Sequence, residues 1–418
     1  MTSPQLNVWI GFGTLGPYFV NDDPVKGVLD NTSYTLADST YFVDVTNHMS
    51  GQISINRGRS RETDQYQCGS MTFTLRNEDR AFDPSNTASP TGSTFTPRTP
   101  VAALLNGNYL FYGYVDDIVV RYEQPNISYV DVTCVDAFSV LSNMAISSAS
   151  IPAGTPGAAI SSVLDQVGFG SNRNILAGYN AIQASTQTNT DALTLLQTLA
   201  RSDQGFLFMD YWGTINFLDR YSMQRAIEAT FSDDATELAS NPSTTYPYKT
   251  ISQKSQAMLL YNQVSGTRTG GTQQTAQNAA SVTQYQLRAL TLGQLECASD
   301  STVSDLCNYV LGKYSTPEVR FDHITVDFLS FDWANFGWAL LGLDLADPVS
   351  VTRTPSGTGT PAVLQKRSII DGISWAIDIS ANTFNVTYAL GSLDSRSFLL
   401  LDDTNGYGTI DTVNKLGF

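Results

Sequence analysis

Catalysis by a serine or cysteine nucleophile needs a base within hydrogen-bond reach, normally a histidine. The chain offers two, His48 and His323. His48 follows an alternating run at 41–45, and His323 enters the run Ile324-Thr325-Val326-Asp327-Phe328, so both read as strand-end or surface residues. No HExxH zinc helix, P-loop or G-x-S-x-G elbow occurs. Gly11-Phe12-Gly13-Thr14-Leu15-Gly16 has the glycine spacing of a dinucleotide fingerprint. The chain before it is too short for a strand in a βαβ unit and no helix signal follows, so a turn is expected. Asp402-Asp403-Thr404-Asn405-Gly406 begins like a calcium loop, but Val413 stands where the bidentate Glu is needed. Asp116-Asp117 and Asp233-Asp234 could suggest glycosidase carboxylates, yet neighbours on a strand point to opposite faces and cannot flank one bond; solvated charge is expected. Cys68, Cys134, Cys297 and Cys307 form no CxxC pair, and two histidines do not complete a zinc site. Cys307 falls on an apolar helix face, the place of an inert buried thiol, and whether it pairs with Cys297 stays open. These residues predict no catalytic site, no metal and no cofactor.

The elements that carry these residues follow from composition. Charged residues make up 15% of the 418-residue chain and aromatics 11%, with glycine and small polar residues filling the difference. That argues for a β-rich protein of short strands and tight turns, and excludes a coiled coil. The length suits about three domains or one extended multi-barrel architecture. With 23 basic and 39 acidic residues the net charge is −16, so the electrostatic footprint of a nucleic-acid binder is missing and DNA is expected only in transit. The densest apolar stretch, 336–343, is broken by Gly337 and Gly342 and stops at Asp344, far short of the roughly 20 residues that span a bilayer. No membrane-spanning segment is expected. Met1-Thr2-Ser3-Pro4 opens no secretory signal, so the mature chain is expected to start there. The dispersed cysteines suit a reduced protein made inside the cell.

Residues 41–140 read as a β domain. Met71-Thr72-Phe73-Thr74-Leu75 and Val130-Asp131-Val132-Thr133-Cys134 alternate apolar and polar, each burying one face. Residues 101–105 and 109–115 flank Asn106-Gly107-Asn108, whose types tolerate positive φ, and predict a hairpin. Residues 77–100, rich in Pro, Ser and Thr without periodicity, predict a long surface excursion of the kind that contacts something.

Residues 141–228 predict a small α+β insert. Thr155-Pro156 starts a helix with Ile160, Val163, Leu164 and Val167 on one face, ended by Gly168. A second helix starts near Thr190, with Ala192, Leu195, Leu196 and Leu199 on one face and Gly205 just past its end. Phe206-Leu207-Phe208 then pairs with Thr214-Ile215-Asn216-Phe217 around Asp210-Tyr211-Trp212-Gly213. Residues 229–392 predict a second β domain, with a linker at 240–250, β character at 257–261 and a mobile Gly/Gln/Thr loop at 266–280. It carries one helix, with Val303, Leu306, Cys307, Val310, Leu311 and Tyr314 on its face. Ile373, Trp375, Ile377 and Ile379, the turn Ala381-Asn382-Thr383, and Phe384, Val386, Tyr388 and Leu390 give the clearest hairpin.

Residues 1–40 and 393–418 read as terminal arms outside these domains. Asp22, Asp23, Gly27 and Asp30 are similar in order to Asp402, Asp403, Gly408 and Asp411. Each copy places Asp three residues after Gly, and the two differ by one inserted residue. They read equally as two docking arms or as two Asp/Gly turns alike by chance.

One ordered set of motifs points to a family. Val43-Asp44-Val45-Thr46, Arg57-Gly58-Arg59, Thr74-Leu75-Arg76-Asn77, Arg80-Ala81-Phe82-Asp83-Pro84 and Leu110-Phe111-Tyr112-Gly113 resemble the opening of minor tail proteins of long-tailed bacteriophages of the siphovirus type. Val132-Thr133-Cys134-Val135-Asp136-Ala137, Leu199-Ala200 and the hairpin after it, Gly372-Ile373-Ser374-Trp375, Leu401-Asp402-Asp403 and Leu416-Gly417-Phe418 continue the likeness in the same order over most of the chain.

The resemblance implies the fold of a tail-tip baseplate hub, shared with contractile-phage hubs and type VI secretion spikes: two tail-tube-like β-barrels, a small α/β insert and extended terminal arms. It also implies a virion tail-tip protein, made in the host cytoplasm, and a homotrimer. Its six barrels would adapt a sixfold tail tube to a threefold tip and keep the channel closed until DNA ejection. Its partners would be the distal tail protein ring and tail tube, the tape measure protein, and other tail-tip or fibre proteins. Three copies of −16 give a trimer −48, a wall that repels DNA and keeps it sliding. Two alternatives keep the residues but change the role: a host-carbohydrate adhesin stacking sugars on Tyr211, Trp212, Trp333 and Trp338, and a hexameric distal tail ring. A tail-associated peptidoglycan hydrolase would need a further domain after the second barrel.

Overall fold

The computed structural model describes residues 4–12, 41–89, 91–123, 126–170, 172–222, 225–241, 243–255, 257–329, 337, 339–357 and 362–393. Strand, at 47%, outweighs helix, at 19%, so the protein is β-rich as its composition requires. So far as they are described, residues Met1–Ile55, Ser70–Ala137 and Trp375–Phe384 form one compact unit, and Asn56–Gly69, Phe138–Ser374 and Asn385–Phe418 form another.

The first unit is built on β1 (Leu6–Phe12), β2 (Tyr41–Asp44), β3 (Met49–Gly58), β4 (Gln67–Arg76), β5 (Pro100–Leu105), β6 (Asn108–Glu123) and β7 (Ile127–Val135). Its strand order is β3-β4-β7-β6-β5-β1-β2. The alternation in the sequence sets the register: Met71, Phe73 and Leu75 sit opposite Cys134, Val132 and Val130, and all six are buried. The β5–β6 hairpin turns through Asn106 (φ 49°) and Gly107 (φ 80°), the paired left-handed positions of a type I′ turn. Strand β1 corrects the expected turn at Gly11-Phe12. Leu6, Val8, Ile10 and Phe12 bury one side of a strand, and Gly11 pairs with Phe42. Its two neighbours, β2 and β5, are both antiparallel, so no βαβ unit surrounds the glycines.

The second unit begins with α1 (Ala137–Ser142), β8 (Ala145–Ile151), α2 (Pro156–Gln166), β9 (Arg173–Ile175), β10 (Ser185–Asp191), α3 (Ala192–Arg201), β11 (Phe206–Met209) and β12 (Ile215–Leu218). It continues with β13 (Ala229–Ser232), α4 (Ala235–Ser240), β14 (Thr245–Tyr246), β15 (Thr250–Ser255), β16 (Gln263–Arg268), β17 (Gln274–Gln277), α5 (Ala279–Tyr285) and β18 (Ala289–Leu295). Helix α6 (Asp300–Tyr314), β19 (Val319–Asp327), β20 (Pro348–Arg353), β21 (Leu364–Asp378) and β22 (Thr383–Ser392) close the described chain. A mixed sheet runs β14-β13-β20-β21-β22-β19-β15, with β13 parallel to both its neighbours. Three small sheets stand apart from it: β8 with β10, β9-β12-β11, and β17-β16-β18. The ladders of the described residues do not close into a barrel.

Local signals place the helices. Thr155 accepts from Ala158 N at 3.3 Å and Pro156 occupies the first helical position of α2. Helix α3 is capped by Asp191, one residue after the expected Thr190, whose carboxylate accepts from Thr194 N at 2.8 Å. Past its end the left-handed residue is Gln204 (φ 54°), not Gly205. Gly205 is instead required by close packing: a Cβ there would lie 2.6 Å from the Phe217 ring.

Three expectations for the second unit fail. Residues 257–259 form a 3-10 turn where β character was expected. The supposed linker at 240–250 contains β14, whose Tyr246 is fully buried. The supposed mobile tract at 266–280 holds the end of β16, all of β17 and the start of α5. Glycine and glutamine content misled there, because Gly266 packs on Val303, and Val264 and Ala276 join a core with Leu295, Cys307 and Val310. Two further helices, α4 and α5, accompany the expected α6.

Candidate interaction site

In the first unit, the excursion after β4 folds around the residues of the Arg80-Ala81-Phe82-Asp83-Pro84 motif. Asn77 Oδ1 accepts from Phe82 N at 2.9 Å, which turns the chain inward. Phe82 then packs beside Phe12, and His48 meets its ring edge-on at 5.0 Å. Asp83 collects Ser85 Oγ at 2.6 Å, Tyr122 Oη at 2.8 Å and Arg80 Nε at 3.0 Å. Burial works to raise this carboxyl, but those hydrogen bonds outweigh it and hold Asp83 well below the usual carboxylate range. The excursion is therefore pinned to β6 by an ionised side chain, leaving Val119 and Tyr122 exposed on that strand.

The second unit holds a denser ionic node. Arg57-Gly58-Arg59 ends β3, and Gly58 (φ 103°) lies so close to Asp371 that a Cβ would sit 2.3 Å from its carbonyl oxygen. Arg59 donates Nη2 and Nε to Asp371 Oδ1 at 2.8 and 3.1 Å and lies over the Tyr66 ring at 4.7 Å. Burial works to lower the pKa of its guanidinium; the Asp371 carboxylate outweighs that and raises it above the ordinary value. Arg57 bridges Met209 O at 2.9 Å and Asp344 at 2.8 Å. Three residues past Arg59, the Glu62 side chain is only 3% exposed. Its Oε2 accepts from Lys313 Nζ at 2.7 Å, Tyr314 Oη at 2.9 Å and Arg320 Nη1 at 3.1 Å. Its Oε1 accepts from Ser392 N. This node ties the 59–66 loop to α6, β19, β21 and β22 with charges that satisfy one another.

The sequence-singled residues scatter. The candidate arm residues Asp22, Asp23, Gly27, Asp30, Asp402, Asp403, Gly408 and Asp411 lie outside the described residues, as do Trp333 and Trp338. His48 sits in a 3-10 turn after β2, and His323 lies on β19 against Asp322. Asp116 and Asp117 are both exposed, because a bulge between Val115 and Asp117 cancels the alternation expected of neighbours. Asp233 is no solvated charge: it pairs with Arg353 and accepts from Thr354 N at 2.9 Å, while Asp234 caps α4. All four cysteines are free thiols. Burial pushes Cys297 up to about 12 and Cys307 up to about 11, which removes them as nucleophiles. Trp212, 54% exposed at the tip of the β11–β12 hairpin, stands 5.7 Å from Tyr211. Among the described residues no cluster of His, Cys, Asp and Glu has the makings of a metal site, and no helix is long and apolar enough to cross a membrane.

Glu62, Asp371, Lys313 and Arg320 escape a reading of the sequence. The Arg57-Gly58-Arg59 triplet is a visible signal, but among the partners of Arg59 and Glu62, Tyr314, Asp371 and Ser392 lie 252 to 330 positions away, beyond any local pattern.

No protein-family model and no curated protein matches the sequence. Solved structures do match. A tail protein from Neisseria meningitidis MC58 is similar with a TM-score of 0.59 at 10% identity, over 92% of this chain and 96% of that one. The 43 kDa tail protein of prophage MuSo2 from Shewanella oneidensis is similar with a TM-score of 0.55 at 13% identity, over 85% of this chain and 97% of that one. The chain has the fold of phage tail proteins.

Proposed function

We propose that this chain is a structural protein of a phage tail: the trimeric tail-tip hub that adapts a sixfold tube to a threefold tip and opens the channel for DNA ejection. The observation that carries this reading is the near end-to-end match, in both directions, with two tail proteins. On this reading each chain supplies two tube-like halves, so that three chains supply six. The two β domains at 41–140 and 229–392, the insert at 141–228 and the arms at 1–40 and 393–418 are the proposed layout. One face stacks on the distal tail ring and tube, and the insert and arms reach neighbours and tip or fibre proteins. The tape measure protein and DNA pass through. The protein acts without catalysis, and its place is the tail tip of the virion.

Light scattering on the purified chain, with negative-stain averages of the same peak, tests this. Three 45.4-kDa chains give about 136 kDa, and a threefold ring of six densities is expected with it. A sixfold ring moves the protein to the distal tail ring. A monomer with a positive glycan array makes it an adhesin using the Tyr211–Trp212 hairpin tip.

A further inference from the structure

A cavity of about 170 Å³ opens beside the Glu62 node in the second unit. Its walls come from the 59–66 loop, the end of α3, the start of β11, β18 and α6. Three cations line it, and two are accounted for: Arg59 is held by Asp371, and Lys313 by Glu62. The third, Arg201 in the last turn of α3, has no carboxylate within ion-pair range among the described residues. Its Nη2 reaches Thr198 Oγ1 at 3.3 Å, and its buried Nε has no hydrogen-bond partner. Burial disfavours its charge. The helix C-terminus compensates it only in part.

The remaining acid on the wall, Asp64, is exposed to solvent. The lining and its ion-pair partners, Asp371 and Arg320 included, carry one cation in excess. One surplus charge suits a monoanion better than a dianionic phosphate. Leu290, Leu292 and Phe206 form an apolar wall, suited to a short aliphatic stem. The space equals the liquid volume of about five or six waters, enough for a carboxylate and its methylenes.

We infer that this cavity is a carboxylate site, which takes one Asp or Glu side chain from a partner chain, with Arg201 as its anchor. The inference does not depend on the trimer or on the tail-tip placement. Two sources share the chemistry, a free carboxylate and an acidic peptide segment, and the experiment separates them.

The full-length protein is titrated calorimetrically at constant ionic strength with sodium acetate, with acetyl-Leu-Asp-Asp-Thr-amide, with its Leu-Asn-Asn-Thr counterpart, and with phosphate. Saturable binding of the Asp peptide is expected, about tenfold tighter than acetate and absent for the Asn peptide. Arg201→Gln is expected to weaken it at least tenfold. Arg201→Lys, which keeps the charge but not the Nε donor, is expected to fall between, and it serves if Arg201→Gln does not fold. Absence of saturable carboxylate binding overturns the site, as does binding unchanged in both variants. Phosphate binding tighter than the Asp peptide overturns the monoanion assignment. Acetate binding as tight as the peptide overturns a protein partner as the source.

Discussion

Glu62 takes donors from α6, from β19 and from the backbone of β22, so neutralising it removes the ion pair that holds buried Lys313, while Arg320 keeps Glu318 at 3.2 Å. Glu62→Gln is expected to destabilise the protein by about 3–5 kcal/mol, since breaking a buried pair from one side leaves the other charge unpaired. The shift in the urea midpoint at constant m-value measures it. Asp347 works in the opposite sense. Burial pushes its carboxyl up to about 7 against the pull of Arg225, with Asp344 and Glu228 adding like charge and Asp344 N donating to it. A folded-state value above the unfolded 3.8 favours the protonated, folded form. The contribution is therefore full below about pH 4 and is lost as pH rises through 7. Asp347→Asn is expected to flatten the fall in Tm between pH 5 and pH 8. Melting curves of both proteins across that range check it, and an unchanged slope removes Asp347 as its source.

At the scale of elements, two kinds of substitution separate local from tertiary causes. Thr155→Ala removes the cap of α2 and is expected to cost about 1 kcal/mol, because its loss frees one terminal N–H. Gly58→Ala is expected to cost at least about 2 kcal/mol, because it meets both a φ of 103° and the backbone of Asp371 and Gly372. Chemical denaturation of the pair gives the ratio, and equal small losses would mean that the end of β3 relaxes. The cap on α2 was legible in Thr155-Pro156, as was the β5–β6 turn in Asn106-Gly107, because both are settled within a few residues. Strand β17 was not. Gln274-Thr275-Ala276-Gln277 has little strand propensity, and it is held by pairing with β16 and by Ala276 meeting the core under α6.

For the whole molecule, the charge of −16 predicts that the purified chain does not retain DNA. Fluorescence anisotropy of a labelled duplex at 0.15 M salt is expected to stay flat at micromolar protein. Micromolar binding would show a basic surface that the net charge conceals, and would count against an acidic channel wall. The same charge opposes close association of copies, so the proposed trimer is expected to tighten as salt rises, read as a salt-dependent mass by light scattering.

Alternation, capping and turn chemistry, all readable along the chain, dictate the β-rich class, the helices α2, α3 and α6, and the hairpins β5–β6 and β11–β12, and the ordered motifs already resemble those of tail proteins. These depend on neighbours in the chain, where side-chain period and backbone preference act directly. The roles of Arg57, Arg59 and Glu62 emerge only once the chain is folded. An ion pair or a cavity is set by which distant segments meet, and Glu62 meets Ser392 across 330 positions of chain. The same holds for Gly11, which belongs to a strand, and for Asp116 and Asp117, which are both exposed at a bulge. Antiparallel partners and a bulge fix those outcomes, and no local pattern encodes them.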